Sequence, residues 1–249
     1  MANIKLKEIS TRAPKDWDKE DTKEKTAAIL AKLDELQNLL YAESKHSILV
    51  ILQGMDASGK DGLVRKVFTS MNPQGVNVHS FKVPTSVELS HDFLWRIHAA
   101  APPKGMIQLF NRSHYEDILV TRVHKMIDDK TAKKRMKAIN DFEQLLQEHN
   151  DTHILKFYLH ISPEEQQERL QERIHDVSKQ WKYNERDFEE AKLWDDYMAA
   201  YEDCFEHCND VPWTIVAADQ NWYKEHVIAS ALLKTMEKLD MKYPGLKKG

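Results

Sequence analysis

The segment "ILQGMDASGKDGLVRKVF", from Ile51 to Phe68, leaves four residues between Gly54 and the pair Gly59-Lys60. Glycines at this spacing let a loop turn tightly enough for successive N–H groups to converge on one anion. A helix starting at the loop adds its positive end, and Lys60 can reach phosphate oxygens. The candidate phosphate contacts are therefore Gly54, Ala57, Ser58, Gly59, Lys60, Asp61 and Gly62. One position departs from the pattern: the residue after the lysine is normally Ser or Thr, whose hydroxyl holds Mg²⁺, and here it is Asp61. An acid so close to phosphate is repelled unless a cation intervenes, so Asp61 is either bridged by metal or turned away. Its place in a first helical turn favours the second reading. Asp56 falls at the loop tip, where a hard carboxylate suits Mg²⁺ bound to a terminal phosphate.

A second constellation is "LFNRSHYEDILVTRVH", Leu109 to His124. Arg112 follows a strand directly, and Glu116 and Asp117 open a helix. A strand-end arginine followed by acids can clamp phosphate and hold metal; a helix with a solvated acidic first turn has the same pattern. In "RLQERIHDVSKQWKYNERDFEEAKLW", Arg169 and Arg173 are one helical turn apart and repel each other unless an anion lies between them. Lys179, Lys182 and Arg186 extend the positive series. The simpler reading is a solvated helix with Glu165 paired to Arg169. The stretch "FKVPTSVELSHDFLWRIH" mixes Lys82, His91, Asp92, Trp95 and Arg96 after a strand that ends at Pro84-Thr85.

These groups need a scaffold that presents them at one edge. "SILVILQG" reads as a buried strand, since a short continuous apolar run ends on glycine. Before it, "TKEKTAAILAKLDELQNLLYA" spaces Ile29, Leu33, Leu36 and Leu40 as an amphipathic helix from Thr22 to Ala42, preceded by a polar arm packed on the body. Further strands are "VNVHSF", "MIQLFNR", "HILKFYLHI" and "WTIVAA". Helices are expected from about Lys60 to Ser70, through "SHDFLWRIHAA", from about Ala132 to His149, through Pro163 to Cys208, and on to about Leu239. Alternation of this kind implies parallel strands with right-handed crossovers, and five such strands make a three-layer α/β/α sandwich.

The 249 residues, 41% hydrophobic and 31% charged, suit a globular α/β chain. No apolar run approaches the ~20 residues that span a bilayer and no secretory leader is visible, so a cytoplasmic protein without membrane partners is expected. A formal net charge of −4 argues against nucleic acid as a partner. Cys204 and Cys208, four apart, lack the company of a zinc site and are expected as reduced thiols.

"GMDASGKDG", "FKVPTSVELSHDFLWRIH", "FNRSHYEDILVTRVH" and "ERIHDVSKQWKY", in this order, resemble the polyphosphate kinase 2 family over about Ser47 to Trp222. In that family the missing Ser/Thr after the loop lysine is typical. The resemblance implies a single domain over 1–249 with a thymidylate-kinase-like P-loop fold, an N-terminal arm and helix over 1–45, and a lid over about 165–192. It implies transfer of phosphate between inorganic polyphosphate and a nucleotide, with Mg²⁺, or Mn²⁺ in its place, organised by Asp56 and Asp117. Lys60, Arg112, Arg122 and the lid residues Arg173, Lys179 and Lys182 would meet phosphates, while Lys82, Pro84, Thr85, Asn111 and Glu116 would meet the nucleotide. The wording "FNRSHYED" is closest to one-domain members that accept nucleoside mono- and diphosphates, and a homo-oligomer of two or four chains is expected. An ATP-dependent nucleoside monophosphate kinase would use the same fold and loop. A nucleotide-binding switch would need an Asn-Lys-x-Asp base reader, and none is found.

Overall fold

A computed structural model describes residues 4–246. Five strands, β1 (Ser47–Gln53), β2 (Val76–Ser80), β3 (Ile107–Asn111), β4 (Thr152–His160) and β5 (Trp213–Ala217), form one all-parallel sheet in the order β2-β3-β1-β4-β5. Every residue of β1 is buried, as its apolar run requires of a central strand covered on both faces. Its side chains alternate between two cores. Leu49 and Ile51 join Ile118, Met136, Ile139 and Phe142 on one face, and Ile48, Val50 and Leu52 join Leu33, Leu63, Ile228 and Leu232 on the other. The first face is covered by helices α5 (Glu116–Val123), α6 (Asp129–Asn150) and α9 (Trp194–His207). The second is covered by α1 (Lys19–Glu43), α2 (Lys60–Val67) and α10 (Asn221–Glu237). The expected five-stranded parallel sandwich is thus present.

After β1 the chain proceeds to β2 and β3 on one side, then crosses to β4 and β5 on the other. The carboxyl ends of β1 and β3 therefore border the crevice where such sheets accept ligands. Helix α1 starts three residues before the expected Thr22, because the Asp18 side chain accepts from the Asp21 N–H at 2.9 Å and caps it. Of the helix expected through "SHDFLWRIHAA", residues 90–100, only the second half forms, as α4 (Trp95–Ala99), and a separate short helix, α3 (Ser86–Leu89), precedes the stretch. Asp92 accounts for the break: its carboxylate accepts from the Leu94 N–H at 3.0 Å, a local bond that competes with helix continuation. The arm before α1 is fixed by long-range bonds, among them Leu6 N–H to Glu202 at 2.8 Å and Thr11 to Asp219 at 2.7 Å. Cys204 and Cys208 are free and buried.

Candidate active site

The loop between β1 and α2 has the backbone its glycines predict. Gly54 has φ 151°, and a Cβ there would come within 2.9 Å of the Leu159 carbonyl oxygen and of Ser58 Oγ; Gly59 has φ 89°. Ala57 also adopts a left-handed conformation, φ 61°, which costs a non-glycine residue of order 1–3 kcal/mol and is typical of functional loops. Lys60 is folded into this ring: its Nζ donates to the carbonyls of Gly54 at 2.7 Å and Met55 at 3.0 Å. Burial, reinforced by the Arg112 guanidinium, pushes its pKa down to about 8.

Arg112 leaves β3 with φ 62° and turns its guanidinium onto two acids. It pairs with Asp56 at the loop tip and with Glu116, at 3.1 Å, on the first turn of α5. Glu116 and Asp56 hold the guanidinium protonated against burial. Asp117, the next residue, faces a neighbouring pocket lined also by Pro84, His91, Asp92, Arg96 and Arg135. Arg96 lies 3.5 Å from its carboxylate. Burial pushes the Asp117 pKa up, against the pull of Arg96 and Arg135.

The charged stretch after β4 forms α7 (Pro163–His175), a 3₁₀ turn (Gln180–Lys182) and α8 (Glu185–Ala191). Arg169 pairs with Glu165 at 2.9 Å, as helical spacing suggested, but also donates to the carbonyls of Ala57 at 3.1 Å and Asp219 at 2.8 Å. It ties the loop tip to the end of β5. Lys182 reaches back to Asp61 at 3.2 Å, and Asn111 donates to the other oxygen of Asp61 at 2.9 Å. Burial pushes Asp61 upward, but these two donors outweigh it and hold the carboxylate below its usual range. Asp61 thus lies in the first turn of α2 with its side chain turned to the 3₁₀ turn and to β3.

Residues 16–244 match the family model for polyphosphate kinase 2. The chain belongs to the polyphosphate kinase 2 family. An AMP/ADP-polyphosphate phosphotransferase of Meiothermus ruber is 47% identical over 223 residues, which span 89% of this chain and 83% of that protein. An ADP-polyphosphate phosphotransferase of Rhodopseudomonas palustris is 44% identical over 227 residues, 86% of this chain and 78% of that protein. The crystal structure of polyphosphate kinase 2 from Arthrobacter aurescens superposes with a TM-score of 0.95 at 40% identity, over all of this chain and 90% of that one.

Several residues expected at the site of this polyphosphate kinase 2 chain have structural partners of their own. Arg122 is engaged elsewhere, bonded to Asp203 on α9 and, at 3.0 Å, to Asp129 at the start of α6. The Thr85 hydroxyl accepts from the Glu88 N–H at 3.3 Å and caps α3; Lys82 is exposed, and its carbonyl accepts from Arg96 at 2.9 Å. Lys179 pairs with Glu172 and Asp176, on and just after α7. Gly62 is exposed on α2 with open space where a Cβ would stand.

Two residues at the loop escaped the sequence reading. Lys224 on α10 is fully buried and donates from Nζ to the Ser58 carbonyl at 2.9 Å; burial and then Arg169 push its pKa down to about 7. The signal was present: Lys224 is the first position of the buried stripe Ile228, Leu232, Met236, where an apolar residue is the norm. Gln166, buried on α7, donates to the Asp56 carbonyl at 3.0 Å.

The lysines give a pH prediction. A lysine that holds phosphate does so protonated; if Lys60 has that role, kcat/KM should fall as pH rises through about 8, the value to which burial pushes it. Lys60→Arg, always charged, should move that alkaline limb out of range at reduced rate. A limb unchanged in Lys60→Arg contradicts the assignment.

Proposed function

We propose that this enzyme transfers the terminal phosphate of inorganic polyphosphate to AMP and ADP, and to GMP and GDP, giving the next higher phosphate. One observation supports this beyond family membership: apart from Lys60 and Lys224, which donate to loop carbonyls, four cations around the loop and lid are already matched to carboxylates. Arg112 has Asp56 and Glu116, Arg96 has Asp117, Lys182 has Asp61 and Arg173 has Asp187. A polyanion arriving with a divalent cation can exchange partners with these pairs, phosphate taking the guanidinium and ammonium groups and metal taking the acids. The carboxylates in the phosphate cradle then hold its cations in place until substrate arrives.

Asp56 and Asp117 would hold Mg²⁺, which neutralises charge on the reacting phosphates when bound. The donor set suits it: Asp56 at the loop tip and Asp117 in the neighbouring pocket offer two hard carboxylates, and Mg²⁺ keeps several waters and uses one or two carboxylates plus substrate phosphates. Backbone N–H groups of the loop and Lys60 would hold the donor end. Arg112, whose guanidinium is fixed by two acids, would orient the transferring phosphoryl, and the pocket around Asp117, Arg96 and Arg135 would take the acceptor. An oxygen of the acceptor's terminal phosphate attacks the end phosphorus of the chain in line. The phosphoanhydride behind it breaks, and the shortened polyphosphate leaves with the bridging oxygen. One phosphoanhydride is exchanged for another, so the reaction runs in either direction with concentration. We further infer a cytoplasmic location, from the absence of a long apolar run among the residues, and, from the family resemblance, a homo-oligomer of two or four chains.

Arg173 would clamp polyphosphate from the lid. It is not the exposed helical arginine its spacing suggested: only 16% of its side chain is exposed, and Asp187 pairs with it, 15% exposed. Arg173→Ala should therefore reduce both polyphosphate use, by about tenfold or more, and Tm. Adding Asp187→Asn removes the unpaired acid and should restore Tm while activity stays low. Activity that returns together with Tm would assign Arg173 a structural role only.

An acceptor held mainly through its terminal phosphate can shift by one phosphate unit, so both AMP and ADP should react. With pure protein, Mg²⁺, polyphosphate and AMP, a time course resolved by chromatography should show ADP first and ATP following in the same tube. A course that stops at ADP, or begins only from ADP, contradicts the two-acceptor claim.

A further inference from the structure

The loop occupies the carboxyl end of β1. At the opposite end of the sheet, roughly 20–25 Å away by strand rise, three donor side chains converge. Among the described residues, His46, Asp151 and His153 form the one group of His, Cys, Asp or Glu whose ligand atoms all lie within 4.8 Å of one another. His46 Nδ1 is 2.7 Å from Asp151 Oδ2 and 3.5 Å from His153 Nε2, which is 3.8 Å from Asp151 Oδ1. A tetrahedral ion with bonds of ~2.0–2.1 Å places its donors about 3.3 Å apart; the two separations from His46 Nδ1, 2.7 and 3.5 Å, lie on either side of that value, and one donor atom from each residue falls within 4.8 Å of the others.

We propose that His46, Asp151 and His153 form a binding site for a divalent transition-metal ion of the Zn²⁺ class, separate from the Mg²⁺ chemistry at the loop. Two imidazoles and one carboxylate are a donor set for Zn²⁺, Co²⁺ or Ni²⁺, whereas Mg²⁺ takes oxygen donors. The scaffold is rigid. His46 immediately precedes β1, where Ser47 pairs with Thr152 and Ile48 with His153 in parallel register. The Ser47 N–H donates to the Asp151 carbonyl at 3.2 Å, and the Gly105 N–H donates to the His46 carbonyl at 2.7 Å. Asp151 closes α6 in a left-handed conformation, φ 54°, and this turn lets the carboxylate face His46. The side chains are 21%, 51% and 34% exposed for His46, Asp151 and His153, so an ion can enter from solvent and keep water at its remaining position. A bound ion would join the start of β1, the start of β4 and the end of α6.

The test titrates Zn²⁺ into the full chain carrying Asp56→Asn and Asp117→Asn, so that the acids assigned to Mg²⁺ do not contribute. Thermal stability and the histidine ring resonances are read at each step. Saturable binding of one equivalent at micromolar Zn²⁺ is expected, with a Tm rise of about 5 °C or more at a hundredfold excess over Kd, and with Mg²⁺ unable to reproduce it. The His46 and His153 ring signals should be the ones that move, and His46→Gln with His153→Gln should abolish binding. In an otherwise unaltered chain the same two substitutions should leave Mg²⁺-supported phosphotransfer unchanged. Failure of wild-type protein to bind Zn²⁺, binding that persists in the double histidine variant, or ring signals of His46 and His153 that stay fixed would each overturn the proposal. The ring signals decide the matter even if that variant does not fold.

Discussion

Asp56→Asn is expected to lower turnover by about two to three orders of magnitude, the scale set by loss of a group that stabilises transition-state charge. Asp56 pairs with Arg112 at the tip of the loop, and Arg112 keeps Glu116 as a second partner at 3.1 Å, so loss of the Asp56 charge should change stability little, and Tm should stay close to wild type. Asparagine is nearly isosteric but carries no charge, so it can neither offset the guanidinium nor replace a carboxylate on Mg²⁺. The variant should also need more Mg²⁺ for half-maximal rate, a signature that a structural role would not produce. Turnover within a few-fold of wild type in the folded variant contradicts the role given to Asp56.

The largest effect on stability is expected one layer beneath the site. Lys156 on β4 is fully buried and donates to Glu143 at 2.7 Å, to the Tyr115 hydroxyl at 2.7 Å and to the Cys208 carbonyl at 3.0 Å. Tyr115 donates to Glu143 at 2.8 Å, and His114 lies 3.3 Å from the same carboxylate. This network fixes the turn from which Glu116 and Asp117 project, and it connects α6, β4 and the end of α9 to the active site. Lys156→Met would leave Glu143 as an unpaired buried charge, at a cost of about 3–5 kcal/mol, or roughly 10 °C in Tm for a chain of this size. The pH dependence follows from signs. In the wild type, burial pushes Glu143 up, but Lys156 and His114 outweigh it and hold the carboxyl below 4.5. Its contribution is therefore present above that value and lost as pH falls through the lower folded pKa. Without Lys156, burial prevails and the folded pKa rises above 4.5, so protonation favours the folded variant. The Tm gap between variant and wild type should narrow as pH falls from 7 towards 4; a constant or widening gap contradicts the account.

The elements that present the site were legible where one physical signal dominates. The apolar run Ile48–Leu52 ends on Gly54, and no arrangement other than a buried strand entering a tight turn suits both. The acids and arginine after β3 were legible as types. Their partners were not, because pairing joins residues far apart in the chain: Asp61 meets Lys182 and Asp56 meets Arg112. Arg122 has the same charge as Arg112, and only the fold directs it to Asp203 instead. Helical spacing identified the Arg169–Glu165 pair but could not reveal that the guanidinium also spans to Ala57 and Asp219. Lys224 went unnoticed because a lysine in a helix is ordinarily solvated; its place on the buried stripe was the only cue.

Polyphosphate as phosphoryl donor is the central claim, and it is tested most directly by following donor and acceptor together. Pure protein with Mg²⁺, ADP and polyphosphate of defined length, free of ATP, should form ATP while the chains shorten by one phosphate for each ATP made. Excess ATP should reverse the flow and lengthen the chains. If nucleotide and chain length both stay unchanged while the same preparation phosphorylates AMP from ATP, the protein is an ATP-dependent nucleoside monophosphate kinase and the account is wrong.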